Sequence, residues 1–237
     1  MDKKKLNVEV CILCKNELIC LKKIYKKIKI FLNNKKINFF IIDASSSDGS
    51  VQYYKKNKIE FYTQKEKGRG NAIIEAFKIK KKTDALIFFS PDGNEDIKDV
   101  PIIIRLLKKK DLVIGTRMIE GAQNEEDKQI LKFRKWANNI FNLFANLFFN
   151  QKNFITDSIN GYRGIKRKTF YKLKCDEKKY AIEYQMTIRA MKKKLKICEF
   201  PTIENDRIAG ITQAPSIETG ITFIRCLLKE ILVGKNF

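Results

Sequence analysis

The sequence contains no histidine, one tryptophan, four prolines, and only 27 acidic residues against 49 basic ones. Each shortage excludes something. Without imidazole, any proton transfer or cation binding falls to carboxylates, amides and hydroxyls. Six cysteines occur, and Cys11 and Cys14 form a CxxC. No second CxxC follows, and no histidine completes a zinc site, so both read as small core residues within the apolar run Val8 to Cys14. No Pro/Gly/Ser-rich linker divides the chain, and no repeat with a period of about 20–50 residues is present. No stretch of about 18 uncharged apolar residues exists to span a membrane. The N-terminus, Met1-Asp-Lys-Lys-Lys with a short apolar run behind it, lacks the pattern of a secretory leader. The expected location is therefore the cytoplasm, with reduced thiols.

What remains is a basic, core-forming chain. Its 237 residues, 44% hydrophobic with 17 phenylalanines, suffice for one large domain. The net charge is +22, but the basic residues are dispersed and not gathered in a tail. Most lysines read as solvated surface, and no nucleic-acid-binding motif accompanies them.

Short apolar runs alternate with helical patterns. The spacing predicts strands at Val8–Leu13, Ile37–Ile42, Ile59–Tyr62, Ala85–Phe89 and Leu112–Ile114. It predicts helices at Leu18–Asn33, Ser50–Asn57, Gly70–Lys80 and Val100–Lys108. This alternation predicts an α/β fold with a central, mostly parallel sheet flanked by helices. Met118–Lys128 is polar, acidic and aperiodic, which predicts a mobile loop. Ile130–Asn150 predicts an amphipathic helix, with Phe133, Trp136, Ile140, Phe144 and Leu147 on one face and Asn138, Asn139, Asn142 and Asn146 on the other. Two readings stand: the aromatic face packs on the sheet, or it lies in the plane of a membrane beside the basic flank Lys132, Arg134 and Lys135. Ile221–Val233 offers the same choice.

In such a chain, ligands bind at the carboxyl ends of parallel strands. Four segments fall there: Asn16-Glu17, the serine-rich turn Asp43 to Ser50, Lys67 to Asn71, and Ser90-Pro91-Asp92-Gly93-Asn94. Singly, each is an ordinary loop or helix cap. Their joint order, followed by Gly115-Thr116-Arg117 and Thr156-Asp157-Ser-x-x-Gly161-Tyr162-Arg163, resembles the family-two glycosyltransferases of GT-A fold. The likeness is greatest to the branch with dolichyl-phosphate mannosyltransferase and bacterial polyprenyl-phosphate sugar transferases. It runs from about residue 7 to beyond residue 210.

The resemblance implies a single domain, with a nucleotide-sugar-binding half over about residues 7–117 and an acceptor-side half over about residues 118–237. It implies that Asn16, Glu17 and Asp43 hold the nucleoside, that Asp48 and Gly49 shape that pocket, and that Gly68, Arg69 and Gly70 border it. Asp92 would bind Mg²⁺ or Mn²⁺ with Asn94 as a further oxygen ligand. Arg117 and Arg134 would take the acceptor phosphate, with Glu183 beside the acceptor cleft. Asp157 would activate a hydroxyl acceptor or orient the site, and Arg207 would sit in a loop closing over the diphosphate. The implied reaction moves one sugar, with inversion, from a UDP- or GDP-linked donor to polyprenyl phosphate or a lipid-linked saccharide. Peripheral membrane contact through helix 130–150 is expected, and no specific nucleic-acid partner. One departure stands out: the family's Asp-x-Asp is Ser90-Pro91-Asp92 in this chain. It keeps open a nucleotide-sugar binder without catalysis; a cytosolic transferase acting on a soluble saccharide, which would not need the membrane helix, is a further alternative.

Overall fold

Strand β4 (Ala85–Phe89) is buried at every position, as a strand covered by helices on both faces must be. It lies at the centre of a seven-stranded sheet in a computed structural model that describes residues 6–150, 152–210, 216–235 and 237. The other strands are β1 (Val8–Cys14), β2 (Asn38–Asp43), β3 (Phe61–Thr63), β5 (Leu112–Thr116), β6 (Arg163–Lys166) and β7 (Ile197–Pro201), in the order β3-β2-β1-β4-β6-β5-β7. The pairs β1–β2, β1–β4, β2–β3 and β5–β7 are parallel, while β6 runs antiparallel to both β4 and β5. All strands but β6 therefore point the same way, and their carboxyl ends share one edge of the sheet.

The helices are α1 (Leu18–Asn34), α2 (Ser50–Lys56), α3 (Arg69–Ile79), α4 (Val100–Leu107), α5 (Phe133–Phe149), α6 (Arg167–Leu173), α7 (Ile182–Lys192) and α8 (Ser216–Val233). The buried side chains form two clusters. One joins Leu21, Ile103 and Tyr162 to the sheet, and the other joins Phe77, Phe170 and Tyr184 to it. A Cβ at Gly164 would come within 2.4 Å of Ile103, so only glycine lets α4 pack against β6. Helix α8 is fastened to α7 by Glu230, fully buried, which accepts from Arg189 Nε at 2.8 Å and Lys192 Nζ at 2.6 Å.

The five predicted strands and their intervening helices are found with shifts of one or two residues at their ends. Strands β6 and β7 and helices α6 and α7 had not been anticipated. The segment Met118–Lys128 is largely a loop, as expected, with bends and turns at residues 118–121. It ends in a 3₁₀ turn, Glu125–Lys128, closed by a capping box in which Asn124 and Asp127 bond each other's backbone N–H region. Gln123 also bridges to Ile203. Helix α5 keeps the expected aromatic face but turns it outward: Asn142, Ala145 and Asn146 face inward, while Asn139, expected beside them, is exposed. Leu147 is 69% exposed and Phe133 64% exposed, so the first of the two readings, an aromatic face on the sheet, is excluded.

Candidate active site

A cavity of about 700 Å³ opens at the shared edge where the strands end. The turn after β4 brings Ser90, Asp92, Asn94 and Glu95 to its wall. Asp92 Oδ1 accepts the Asn94 N–H at 3.2 Å, which fixes the turn, and Asp92 Oδ2 accepts Arg207 Nη1 at 2.9 Å. Arg207 also contacts Glu17 through Nη2 and is oriented by Nε donating to Ala209 O at 2.8 Å. The chain around Arg207 crosses the β4 turn closely: Ile208 N donates to Asp92 O at 2.9 Å. Gly93, at φ 96°, makes room, since a Cβ there would strike the Ile208 side chain at 2.5 Å.

The opposite end carries arginines, each paired with carboxylates. Arg117, just past β5, gives Nε to Asp157 Oδ2 at 2.7 Å, Nη2 to Asp157 Oδ1 at 3.1 Å, and Nη1 to Glu204 Oε1 at 2.9 Å. The segment carrying Asp157 is held from two sides. Glu199 of β7 accepts the Thr156 and Asp157 N–H groups, each at 2.8 Å in its shorter bond. From α5, Asn142 bonds Ser158 and Thr156, and Asn146 bonds both backbone polar groups of Ile155. Arg134, at the start of α5, pairs with Glu125 and Glu126 of the capped turn. Arg69 and Glu183 pair with each other, and both line the cavity. Exposed Phe133 and Ile217 form an apolar mouth between α5 and α8, with Phe141 and the buried Phe223 deeper in the wall.

Several carboxyls here resist ionisation. Burial pushes Glu17 up against the opposing pull of Arg207. Burial, and then the neighbouring Asp92, push Glu95 well above the ordinary range. Burial, and then Glu204, raise Glu125. Acids held up in this way would ionise more readily beside a cation. Among the described residues, no cluster of three or more His, Cys, Asp or Glu forms a ready-made metal cage. Mg²⁺ and Mn²⁺ take oxygen ligands and leave part of their shell to phosphates and water. Asp92 and Asn94 supply such oxygens, and the Arg207 guanidinium already matches a positive charge to Asp92.

Residues 9–174 match the family described as glycosyl transferase family 2. The chain belongs to that family. It is 24% identical over 181 residues to the undecaprenyl-phosphate mannosyltransferase of Micrococcus luteus, covering 72% of each protein. It is 24% identical over 190 residues to glycosyltransferase AglJ of Haloferax volcanii, covering 79% of this chain and 61% of that one. Glucosyl-3-phosphoglycerate synthase from Mycobacterium tuberculosis, with Mn²⁺, UDP-glucose and phosphoglyceric acid, superposes at a TM-score of 0.75 with 15% identity, covering 97% of this chain and 81% of that one. The same enzyme with Mg²⁺ and UDP gives 0.72 at 13% identity, covering 97% and 80%. The fold is that of the GT-A glycosyltransferases, as expected.

In this family-two glycosyltransferase, the cavity gathers Asp92, Asn94, Arg207, Arg69, Arg117, Arg134 and Glu183. The remaining candidates stand elsewhere. Asp43 is fully buried and accepts from Ser46 and from Tyr54 OH. Asn16 bonds Ser46 and Ser47, and Asp48 accepts the Leu18 N–H at 2.8 Å, so these residues knit the loops after β1 and β2 together. Gly68 and Gly70 admit the backbone of residues 177–178: a Cβ would lie 2.2 Å from Lys178 O and 2.0 Å from Glu177 O. The first turn of α3 is thus occupied by a carbonyl of the chain itself, since Gly70 N donates to Lys178 O at 2.9 Å. Asp157 has no exposed surface and gives both oxygens to Arg117. Its contacts hold a guanidinium in place with both oxygens engaged. Sequence reasoning missed Glu95, Glu125 and Glu204, which all line the cavity. A run of acids in a chain of +22 charge was a signal, but its cationic partners Arg134 and Lys135 could not be paired with it from spacing alone.

Proposed function

We propose that this enzyme moves one sugar from a UDP- or GDP-linked donor to a phosphate-bearing lipid acceptor, polyprenyl phosphate or a lipid-linked saccharide, with inversion. One observation carries the reading: a single cavity joins the Asp92–Arg207 end, the Arg117–Arg134 end and an apolar mouth between α5 and α8. Diphosphate, anionic acceptor head and lipid chain each find matching chemistry in one space. The Micrococcus relative, by its name, acts on undecaprenyl phosphate, which supports the acceptor class.

The acceptor oxygen attacks the anomeric carbon as the bond to the donor diphosphate breaks, and the nucleoside diphosphate leaves with the electron pair. With polyprenyl phosphate the attacking oxygen is already ionised, so no strong base is required, whereas a saccharide hydroxyl would pass its proton to a carboxylate of the cavity wall. That agrees with Asp157 acting as a positioning residue for Arg117. A divalent cation held by Asp92 and Asn94 would neutralise charge on the departing diphosphate. Arg207 holds a second positive charge at the same place. Arg69, placed by Glu183, adds a third cation to the wall.

The exposed faces of α5 and α8 support a peripheral membrane position. Leu147 is 69% exposed on α5 and Leu232 87% exposed on α8, and the two helices touch. No helix among the described residues is long and apolar enough to cross a membrane. Calorimetric titration of UDP and GDP, with and without Mn²⁺, tests the donor site on wild type and Asp92→Ala. The expected result is metal-dependent binding of one nucleotide, weakened at least tenfold in the variant. Absence of binding by wild type under every condition would favour a role without catalysis.

A further inference from the structure

Arg134 is the side chain assigned above to the acceptor's anion, yet a carboxylate already occupies it. Its Nη2 contacts Glu125, and its Nε donates to Glu126 Oε1 at 2.9 Å. The second oxygen of Glu125 reaches the other way, where Oε2 accepts Asn94 Nδ2 at 3.2 Å. Glu125 therefore spans the cavity from the turn that carries Asp92 to the start of α5. It is not delivered by a loose strand. The turn that bears it is capped by Asn124 and Asp127, and its own N–H donates to Glu204 Oε2 at 3.2 Å. A carboxylate with one oxygen on a guanidinium and the other on an amide reproduces the bonds that two oxygens of a phosphate would make there.

We propose that Glu125 is an internal stand-in for the anionic head of the acceptor, holding Arg134 and Asn94 in place until the acceptor's phosphate displaces it. The proposal rests on the reading of the acceptor as a phosphate-bearing lipid. Displacement is easy for two reasons. The Arg134 side chain is 45% exposed, so its ion pair is of the weak, solvent-screened kind. The carboxylate also stands close to Glu204, which repels it. A phosphate bearing more charge competes well for the same donors. Glu125 thus sets a threshold that favours phosphate over weaker anions.

The test is calorimetric binding of farnesyl phosphate to the full chain, in wild type, Glu125→Gln, Glu125→Ala, Arg134→Gln and Glu120→Gln. Glu120 is exposed in the same segment and supplies the matched loss of charge without touching Arg134. Both Glu125 variants are expected to bind about two- to fivefold more tightly than wild type, the worth of one solvent-screened pair. Glu120→Gln should bind as wild type, and Arg134→Gln more weakly. Thermal melts of each variant show that the fold is retained. Equal or weaker binding by both Glu125 variants overturns the stand-in and leaves the acceptor reading intact. Tighter binding by Glu120→Gln as well would reduce the effect to general charge and overturn it too. No binding by wild type or any variant sinks the acceptor reading itself.

Discussion

Asp48 shows how a motif residue can be visible in sequence while its task is not. The serine-rich turn marked it as a pocket residue, yet its carboxylate accepts the Leu18 N–H at 2.8 Å and the Ser50 N–H at 3.0 Å. It satisfies the first turn of α1 from a distance, a service usually given by the N-cap residue itself. Partial burial pushes its carboxyl up, but the hydrogen bonds from Ser50 and Leu18 outweigh this and hold it below the usual range. A lowered carboxyl stabilises the fold above its unfolded value near pH 4 and loses that contribution as the pH falls through its folded value. Asp48→Asn should therefore flatten the acid limb of a plot of melting temperature against pH, and should cost about 1 kcal/mol at neutral pH. An unchanged limb would show that Asp48 contributes nothing there. Asp43, Gly68, Gly70 and Asp157 are similar: the motif order was legible, and it falls on the edge where the cavity opens. The contacts were not, because for Gly68, Gly70 and Asp157 the partner comes from a distant segment, as Lys178 O does for Gly70.

At the scale of elements, α5 is the sharpest case. Periodicity reveals two faces but not which one the protein covers. Asparagines look solvated in sequence, yet Asn142 and Asn146 are the inward pair and satisfy backbone groups of residues 155–158. An amide is well suited to this, since it donates and accepts at once. Asn146→Ala should leave those backbone groups without partners and cost about 1–3 kcal/mol in urea unfolding. Leu147→Glu, on the outer face, should change stability by less than about 0.5 kcal/mol yet weaken flotation with lipid vesicles. If Leu147→Glu floats as well as wild type, the membrane role of this face is wrong. Strands β6 and β7 were not legible for a related reason. Arg163-Gly-Ile-Lys166 has neither an apolar run nor alternation, and Arg163 is buried whole against the carbonyls of Ser158, Asn160 and Glu183.

For the whole molecule, the proposed membrane position draws on both the +22 charge and the exposed apolar faces of α5 and α8. On the proposed membrane reading, dispersed lysines would give long-range attraction to an anionic bilayer, and the exposed leucines the short-range hold. Flotation with vesicles containing anionic lipid should fall steeply as salt rises from about 0.05 to about 0.5 M, because the Debye length shrinks below the approach distance. Binding to neutral vesicles should be weaker and far less sensitive to salt. Salt-independent binding to both would place the whole effect on the apolar faces. The sheet order carries one more implication, for synthesis. Strand β5 neighbours only β6 and β7, so five wholly buried residues leave the ribosome with no hydrogen-bonded partner until Arg163–Lys166 has been made. At about 5–20 residues per second, that is a wait of several seconds with a bare apolar edge exposed. The nascent chain is most at risk of aggregation in that interval, and holding chaperones would be needed there.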